Sequence, residues 1–187
     1  MKQLRFLAVF IAASFFCLQA HAFTASYKQI ISGPGLPTPQ KKFMKIKDDK
    51  VRMEMDLPEG KVITIIDGDT IYSYSPSEKS ALKLINKNSL DTKVLCDYGA
   101  HLKSLGAKII GFEKLEKYDC DIYEFTDPRF DMSSKVWLWK EKEFPVKVET
   151  KVPDGVMTST MTEVEIGIDI DDSEFILPEG IKILNVE

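Results

Sequence analysis

Between Val51 and Leu84 apolar and polar residues alternate in short runs cut by turn residues. Val51, Met53 and Met55 alternate with Arg52, Glu54 and Asp56, the period of two expected of a strand with one buried and one wet face. Leu57-Pro58-Glu59-Gly60 turns the chain, and Lys61 to Ile66 resumes as a β-branched, apolar run. Asp67-Gly68-Asp69 supplies residues that tolerate positive φ, after which Ile71 to Ser75 carries Tyr72 and Tyr74 on one face. Ser75-Pro76-Ser77 turns the chain once more, and Leu82 and Leu84 then point away from Lys83. The pattern predicts an antiparallel meander with one apolar face.

The same alternation extends in both directions. Phe23 to Ile31 reads as a strand ended by the breaker-rich Gly33 to Pro39, either a long exposed loop or a mobile flap, and Lys41 to Lys47 reads as a second strand. After Leu84 the period changes. Leu90, Val94, Leu95, Tyr98, Leu102 and Leu105 recur at mostly three- and four-residue steps, predicting one helix over 89–106, or two shorter pieces divided at Gly99, with Ser89 or Asp91 as N-cap and Gly106 as its stop. Strands resume at Ala107 to Leu115, Tyr118 to Thr126, Ser133 to Lys140 and Val146 to Val152. Met157 to Ile170 reads as a long strand whose face changes near Thr162-Glu163, the mark of a bulge or bend. Asp172 to Phe175 reads as a short helical element, and Ile181 to Val186 is a last apolar run.

About ten or eleven strands with one helix are too much sheet for a flat layer. The expected fold is mainly β (α+β): a strongly curled, antiparallel, up-and-down sheet forming an unclosed barrel, with the helix as plug or lid. Met53, Met55, Tyr72, Tyr74, Leu95, Leu102, Trp137 and Trp139 are the candidate lining of an apolar cavity between sheet and helix, since Met and aromatic side chains adapt to apolar ligands. The alternative for each is an ordinary place in the core.

The ends and the charge narrow the setting. Lys2 and Arg5, the apolar stretch Phe6 to Leu18 and Ala20-His21-Ala22 have the three parts of a Sec-type signal peptide over 1–22, leaving 23–187 as a single exported domain, expected in the periplasm. The apolar stretch is shorter than the roughly 20 residues of a membrane span. Cys17 follows Phe16, where a lipoprotein leader carries a small residue. The formal charge is −4, and losing Lys2 and Arg5 with the leader makes the remainder more acidic still, which argues against nucleic acid as a partner. Cys96 and Cys120 are the cysteines left after the leader, and in an exported chain they most simply pair as a disulfide, two separate buried thiols being the alternative.

Little in the sequence suggests catalysis. His101 is the one histidine beyond the leader, too few for a His-rich zinc site or a well-supported triad. Asp169, Asp171, Asp172 and Glu174 lack the central glycine and spacing of a calcium loop, and no nucleophile elbow or phosphate-cradling glycine loop occurs. No enzyme activity, cofactor or metal is expected.

Three stretches carry a family resemblance. They are Ile66-Asp67-Gly68 before Tyr72, Tyr74 and Pro76; Val136-Trp137-Leu138 through Phe144-Pro145-Val146-Lys147; and Asp172-Ser173-Glu174-Phe175 with Leu177-Pro178-Glu179-Gly180. In order and spacing they resemble the LolA-like superfamily, which includes the periplasmic lipoprotein carrier, its outer-membrane receptor LolB and the amino-terminal domain of the anti-sigma regulator RseB. Gly111-Phe112-Glu113 and Tyr118 to Tyr123 look like exported members of the superfamily other than the carrier, whose arginine-proline pair has no counterpart before the meander. The resemblance implies an unclosed barrel with a helical lid and a cavity for acyl chains. It implies a non-enzymatic binding protein for lipid or lipoprotein acyl chains, or else an envelope sensory domain that acts through a partner protein.

Overall fold

The computed structural model describes residues 23–85, 94, 97–127 and 131–186. The proposed leader, Leu95, Cys96 and the proposed N-caps Ser89 and Asp91 lie outside the described residues.

Among the described residues twelve strands form one sheet: β1 (Thr24–Ser32), β2 (Gln40–Lys47), β3 (Lys50–Leu57), β4 (Gly60–Asp67), β5 (Thr70–Tyr74), β6 (Ser80–Ile85), β7 (Lys108–Leu115), β8 (Tyr118–Asp127), β9 (Met132–Trp139), β10 (Phe144–Val152), β11 (Gly155–Ile166) and β12 (Lys182–Asn185). Their order is β12-β6-β5-β4-β3-β2-β1-β11-β10-β9-β8-β7, so β12 and β7 are the edges of an open sheet. The expected meander over Val51 to Leu84 is present as β3 to β6, joined by tight turns such as Asp67-Gly68, where Gly68 takes φ 56°, and β2 pairs onto it at β3.

Two long-range pairings organise the rest. β1 pairs with β11, with Ala25 opposite Ile166, which joins the first and last thirds of the chain. Its register slips between Ser26 and Lys28, opposite Glu163 at φ 51°, so the face change near Thr162-Glu163 is a bulge. β12 lies parallel to β6, which departs from a purely antiparallel arrangement. The Gly33 to Pro39 loop packs at its start against the β10–β11 turn: a Cβ on Gly33 would meet the Met157 backbone at 2.9 Å, and one on Gly155 would meet Pro34 at 3.0 Å.

The buried residues form three clusters. The first joins Ala25, Tyr27, Ile46 and Val51 to Tyr118, Cys120, Trp137, Phe144, Val146 and Val164. The second sets Ile63, Ile65, Tyr74 and Ala81 of β4–β6 beneath Ile170 and Phe175 of the C-terminal segment. The third is small, with Leu102 seated on Val136 and Leu138.

Val94 and Tyr98–Ser104 are helical among the described residues of the expected 89–106 span, and the helix is placed differently than expected. Helix α1 (Tyr98–Ser104) starts at Asp97, whose carboxylate accepts from the Ala100 amide at 2.9 Å, and it stops before Gly106 at φ 68°. Leu102 rests on Val136 and Leu138, which by strand alternation point away from Trp137 and Trp139. Helix α1 is therefore a patch on one face of β9 and does not sit against the tryptophans.

Cys120 pairs in register with Trp139 and shares its face. The buried thiol lies 3.5 Å from the Tyr118 carbonyl oxygen. Burial, with the carboxylates of Asp119, Glu113 and Asp121 adding to it, pushes this thiol up and makes it a poor nucleophile. The expected partner, Cys96, lies outside the described residues. Pairing predicts no titratable thiol in the denatured, unreduced exported chain, whereas two would exclude it.

Candidate functional site

A cavity of about 570 Å³ lies on the face of the sheet opposite Met53. Its floor is the register pair Ile63 and Tyr74 of β4 and β5, both buried, and its side is Pro76 in the turn to β6. Its other wall is Pro178, Gly180 and Ile181. The chain folds this way locally because Ser75-Pro76-Ser77 closes a turn, with the Glu78 amide donating to the Ser75 carbonyl at 2.9 Å. Glu78, Lys79 and Glu179 bring charge to a lining that is otherwise mostly apolar.

The C-terminal segment reaches this position along a line of polar anchors. The Gly167 amide donates to the Thr24 carbonyl at 2.9 Å, and the Thr24 hydroxyl donates to the Ile168 carbonyl at 2.7 Å. The Lys47 ammonium donates to the Ile170 carbonyl at 2.8 Å and pairs with Asp172 at 2.9 Å. Beyond it, Asp172–Phe175 forms a 3-10 helix capped by Asp171, which accepts from the Ser173 amide at 2.8 Å. Lys45 pairs with Glu174 at 2.6 Å, and Arg52 donates to the Glu174 carbonyl at 3.0 Å. Arg52 also meets Glu54 at 2.8 Å, and Lys61 meets the other oxygen of that carboxylate at 3.0 Å.

These pairs set a pH window. The hydrogen bond from Lys47, with its charge, holds Asp172 below the ordinary carboxylate range, and the same bond raises Lys47. Burial pushes Glu54 up, but the bonds from Lys61 and Arg52 and their charges outweigh it and leave Glu54 lowered. A depressed carboxylate stabilises the fold above its unfolded value of about 4, and this is lost as pH falls through the folded value. A raised lysine stabilises the fold below its unfolded value of about 10.4, and this is lost as pH rises through the folded value. The urea midpoint should therefore vary little from these groups between about pH 5 and pH 9 and fall below about pH 4. Midpoints measured at steps across that range check it, and a midpoint as high well below pH 4 as at pH 7 would contradict it.

Tyr74 is the predicted lining residue that the structure places in this cavity. Tyr72 shares its face and is half-buried against the same cluster, with the Lys83 ammonium 5.8 Å from its ring centroid. Met53 and Met55 stand on the other face, Met53 opposite Met44. Trp137 belongs to the first cluster and donates through Nε1 to Glu113 at 2.5 Å, while Trp139 packs edge-on to Tyr118 at 4.9 Å. Leu102 is in the third cluster, and Leu95 lies outside the described residues. The seven described candidates therefore do not line one cavity. Strand alternation separates the methionines from the tyrosines, and Leu102 sits on the face of β9 away from the tryptophans.

Ile63, Pro178 and Ile181 were missed. Ile63 could have been found from its cross-strand pairing with Tyr74. The wall residues lie in and beside Leu177-Pro178-Glu179-Gly180, legible as a turn but not as a wall. His101 makes an edge contact with Tyr98 at 5.8 Å on α1, and among the described residues no group of His, Cys, Asp and Glu is placed to hold a metal.

No protein-family model matches the chain, and no curated protein matches its sequence. Solved structures do match its shape. An uncharacterized conserved protein from Thermus thermophilus superposes with TM-score 0.63 at 9% identity, over 89% of this chain and 92% of that one. MucB in the Pseudomonas aeruginosa MucA/MucB complex matches at TM-score 0.54 and 11% identity, over 88% of this chain and 59% of that one. LprF from Mycobacterium bovis matches at TM-score 0.50 and 8% identity, over 79% of this chain and 88% of that one. With one open sheet of twelve strands and a short helix among the described residues, the chain shares the fold of these structures.

Proposed function

We propose that this is a periplasmic, non-enzymatic binding protein that takes the acyl chain of a lipid or lipoprotein into the cavity between β4–β5 and the C-terminal segment. The observation that carries the reading is that cavity of about 570 Å³ with its apolar floor of Ile63 and Tyr74. Its volume falls in the range of small-molecule sites, about 300–1,000 Å³. Each methylene transferred from water contributes about 0.8 kcal/mol, so a partly enclosed chain binds usefully without polar chemistry. The LolA-like resemblance of the sequence supports the reading, and the cavity replaces the space between sheet and helix as the site.

Native mass spectrometry of the protein purified from the periplasm tests it. The expected result is a population carrying acyl-lipid mass that organic extraction removes. A chain that neither carries nor accepts an acyl ligand ends the proposal. A second reading, an envelope sensory domain acting through a protein partner, draws on the exposed edge strand β7, where Ile109, Ile110 and Phe112 stand out to solvent. The solved MucB neighbour is seen in complex with MucA, and this chain covers 59% of its length. That reading predicts a stable partner in envelope crosslinking and little lipid turnover.

A further inference from the structure

We infer that Pro178–Asn185 is a hinged flap that opens the cavity while the 3-10 helix before it stays fixed to the sheet. The inference rests on the cavity being the ligand site, and it concerns how that site is entered.

The C-terminal segment is held in two unlike ways on either side of Leu177. Upstream, Ile170 and Phe175 are buried against Ile63, Ile65 and Tyr74, and Lys45, Lys47 and Arg52 hold Asp172 and Glu174 by the bonds described above. Removing that part would bare a cluster and break several charge-assisted bonds at once. Downstream, Ile181 is the one flap side chain that still packs against that cluster; beyond it β12 has four residues, all exposed, and its described neighbour is β6 alone. That pairing is parallel, the slightly weaker geometry per residue. Beyond the ladder it adds the bonds from the Lys182 amide to the Lys79 carbonyl, 2.8 Å, and from the Val186 amide to the Lys83 carbonyl, 2.9 Å.

The apolar contacts across this seam are also weak. Leu82, Leu84 and Ile85 on β6, and Ile183, Leu184 and Val186 at β12, remain 38–57% exposed while the strands are paired. Separation therefore releases little apolar area, and burial is what chiefly holds one element to another. The flexing point is Pro178-Glu179-Gly180. Gly180 takes φ 78°, and no atom lies within 4 Å of the position a Cβ would occupy, so nothing packs against that side of the turn.

Geometry links this weak seam to the cavity. Pro178, Gly180 and Ile181 form one wall, and they lie between the fixed 3-10 helix and β12. When β12 leaves β6, that wall swings away, and the floor of Ile63 and Tyr74 stays in the sheet. Asp172, Glu174 and their cationic partners take no part in the movement, so opening keeps the fold intact.

A reversible staple tests this. Leu82 and Leu184 are register partners across the seam and lie outside the cavity lining. Adjacent strands are about 4.8 Å apart, a spacing a disulfide accepts. In the full exported chain carrying Leu82→Cys and Leu184→Cys, stopped-flow loading of an environment-sensitive fluorescent fatty acid should slow by about tenfold or more on oxidation, about 1.4 kcal/mol of barrier. Reduction should restore it, with each single variant and the unaltered protein as controls. An oxidised staple that loads at the unstapled rate overturns the flap. Hydrogen exchange on the unaltered protein decides separately: the Lys182–Asn185 amides should open on the order of 100-fold more often than the Gly167 amide, without added ligand. Equal protection at both places overturns the flap even if the probe binds. Failure of the unaltered protein to bind any probe ends the acyl-chain reading and leaves the exchange result to judge the hinge.

Discussion

Phe144→Ala is expected to cost the folded chain about 3–5 kcal/mol, a large share of the roughly 5–15 kcal/mol that holds a domain together. Phe144 is 1% exposed, and its ring meets Tyr27 edge-on at 5.4 Å. It stands in the cluster that binds β1–β3 to β8–β11, so its loss leaves a hole where the two halves of the sheet meet. The surroundings resist collapse. Tyr27 is buried so well that its phenol is pushed up to about 12, and its neighbours come from strands already locked in register. Urea unfolding followed by the fluorescence of Trp137 and Trp139 measures the cost. A loss below about 1 kcal/mol would show that this junction is not the principal core.

Ile181→Trp is expected to abolish binding of a fluorescent fatty acid or weaken it by at least about a hundredfold, near 2.7 kcal/mol, with little change in unfolding midpoint. Ile181 is partly buried against the second cluster and forms part of the cavity wall, so an indole there fills the space an acyl chain needs, on the open side of the buried floor. Met53→Ala is the companion variant. Met53 lies on the opposite face of the sheet, so its truncation should leave binding unchanged. Equilibrium fluorescence titration checks both. If Met53→Ala weakens binding and Ile181→Trp does not, the ligand sits on the methionine face and the cavity assignment is wrong.

The different fates of Met53 and Tyr74 show how far the alternation pattern reaches. Both belong to strands of one meander with an apolar side, and both strands formed where the pattern put them. Which side each residue faces follows only from the pairing chain Met53–Thr64–Ser73 against Arg52–Ile65–Tyr72. A period of two separates a strand's faces but does not align one strand's faces with the next, because a shift of one residue exchanges them. The helix shows the same limit. Its apolar spacing and Gly106 stop were legible, but its landing place on Val136 and Leu138 was not, since nothing local marks which sheet face receives it.

Local chemistry by itself determined the strands, their turns, the bulge near Glu163 and the short 3-10 helix, because each depends on residues a few positions apart whose backbone preferences and side-chain period are written in order along the chain. The tertiary structure alone decided that Ala25 meets Ile166, that β12 lies parallel on β6, and that Pro178 to Ile181 form the wall of a cavity floored by Ile63 and Tyr74. Those contacts join segments on the order of a hundred residues apart, the long-range kind that closes last and at the greatest entropic cost. Their partners are selected by burial and charge pairing summed over the whole sheet, a quantity that no single stretch of sequence contains.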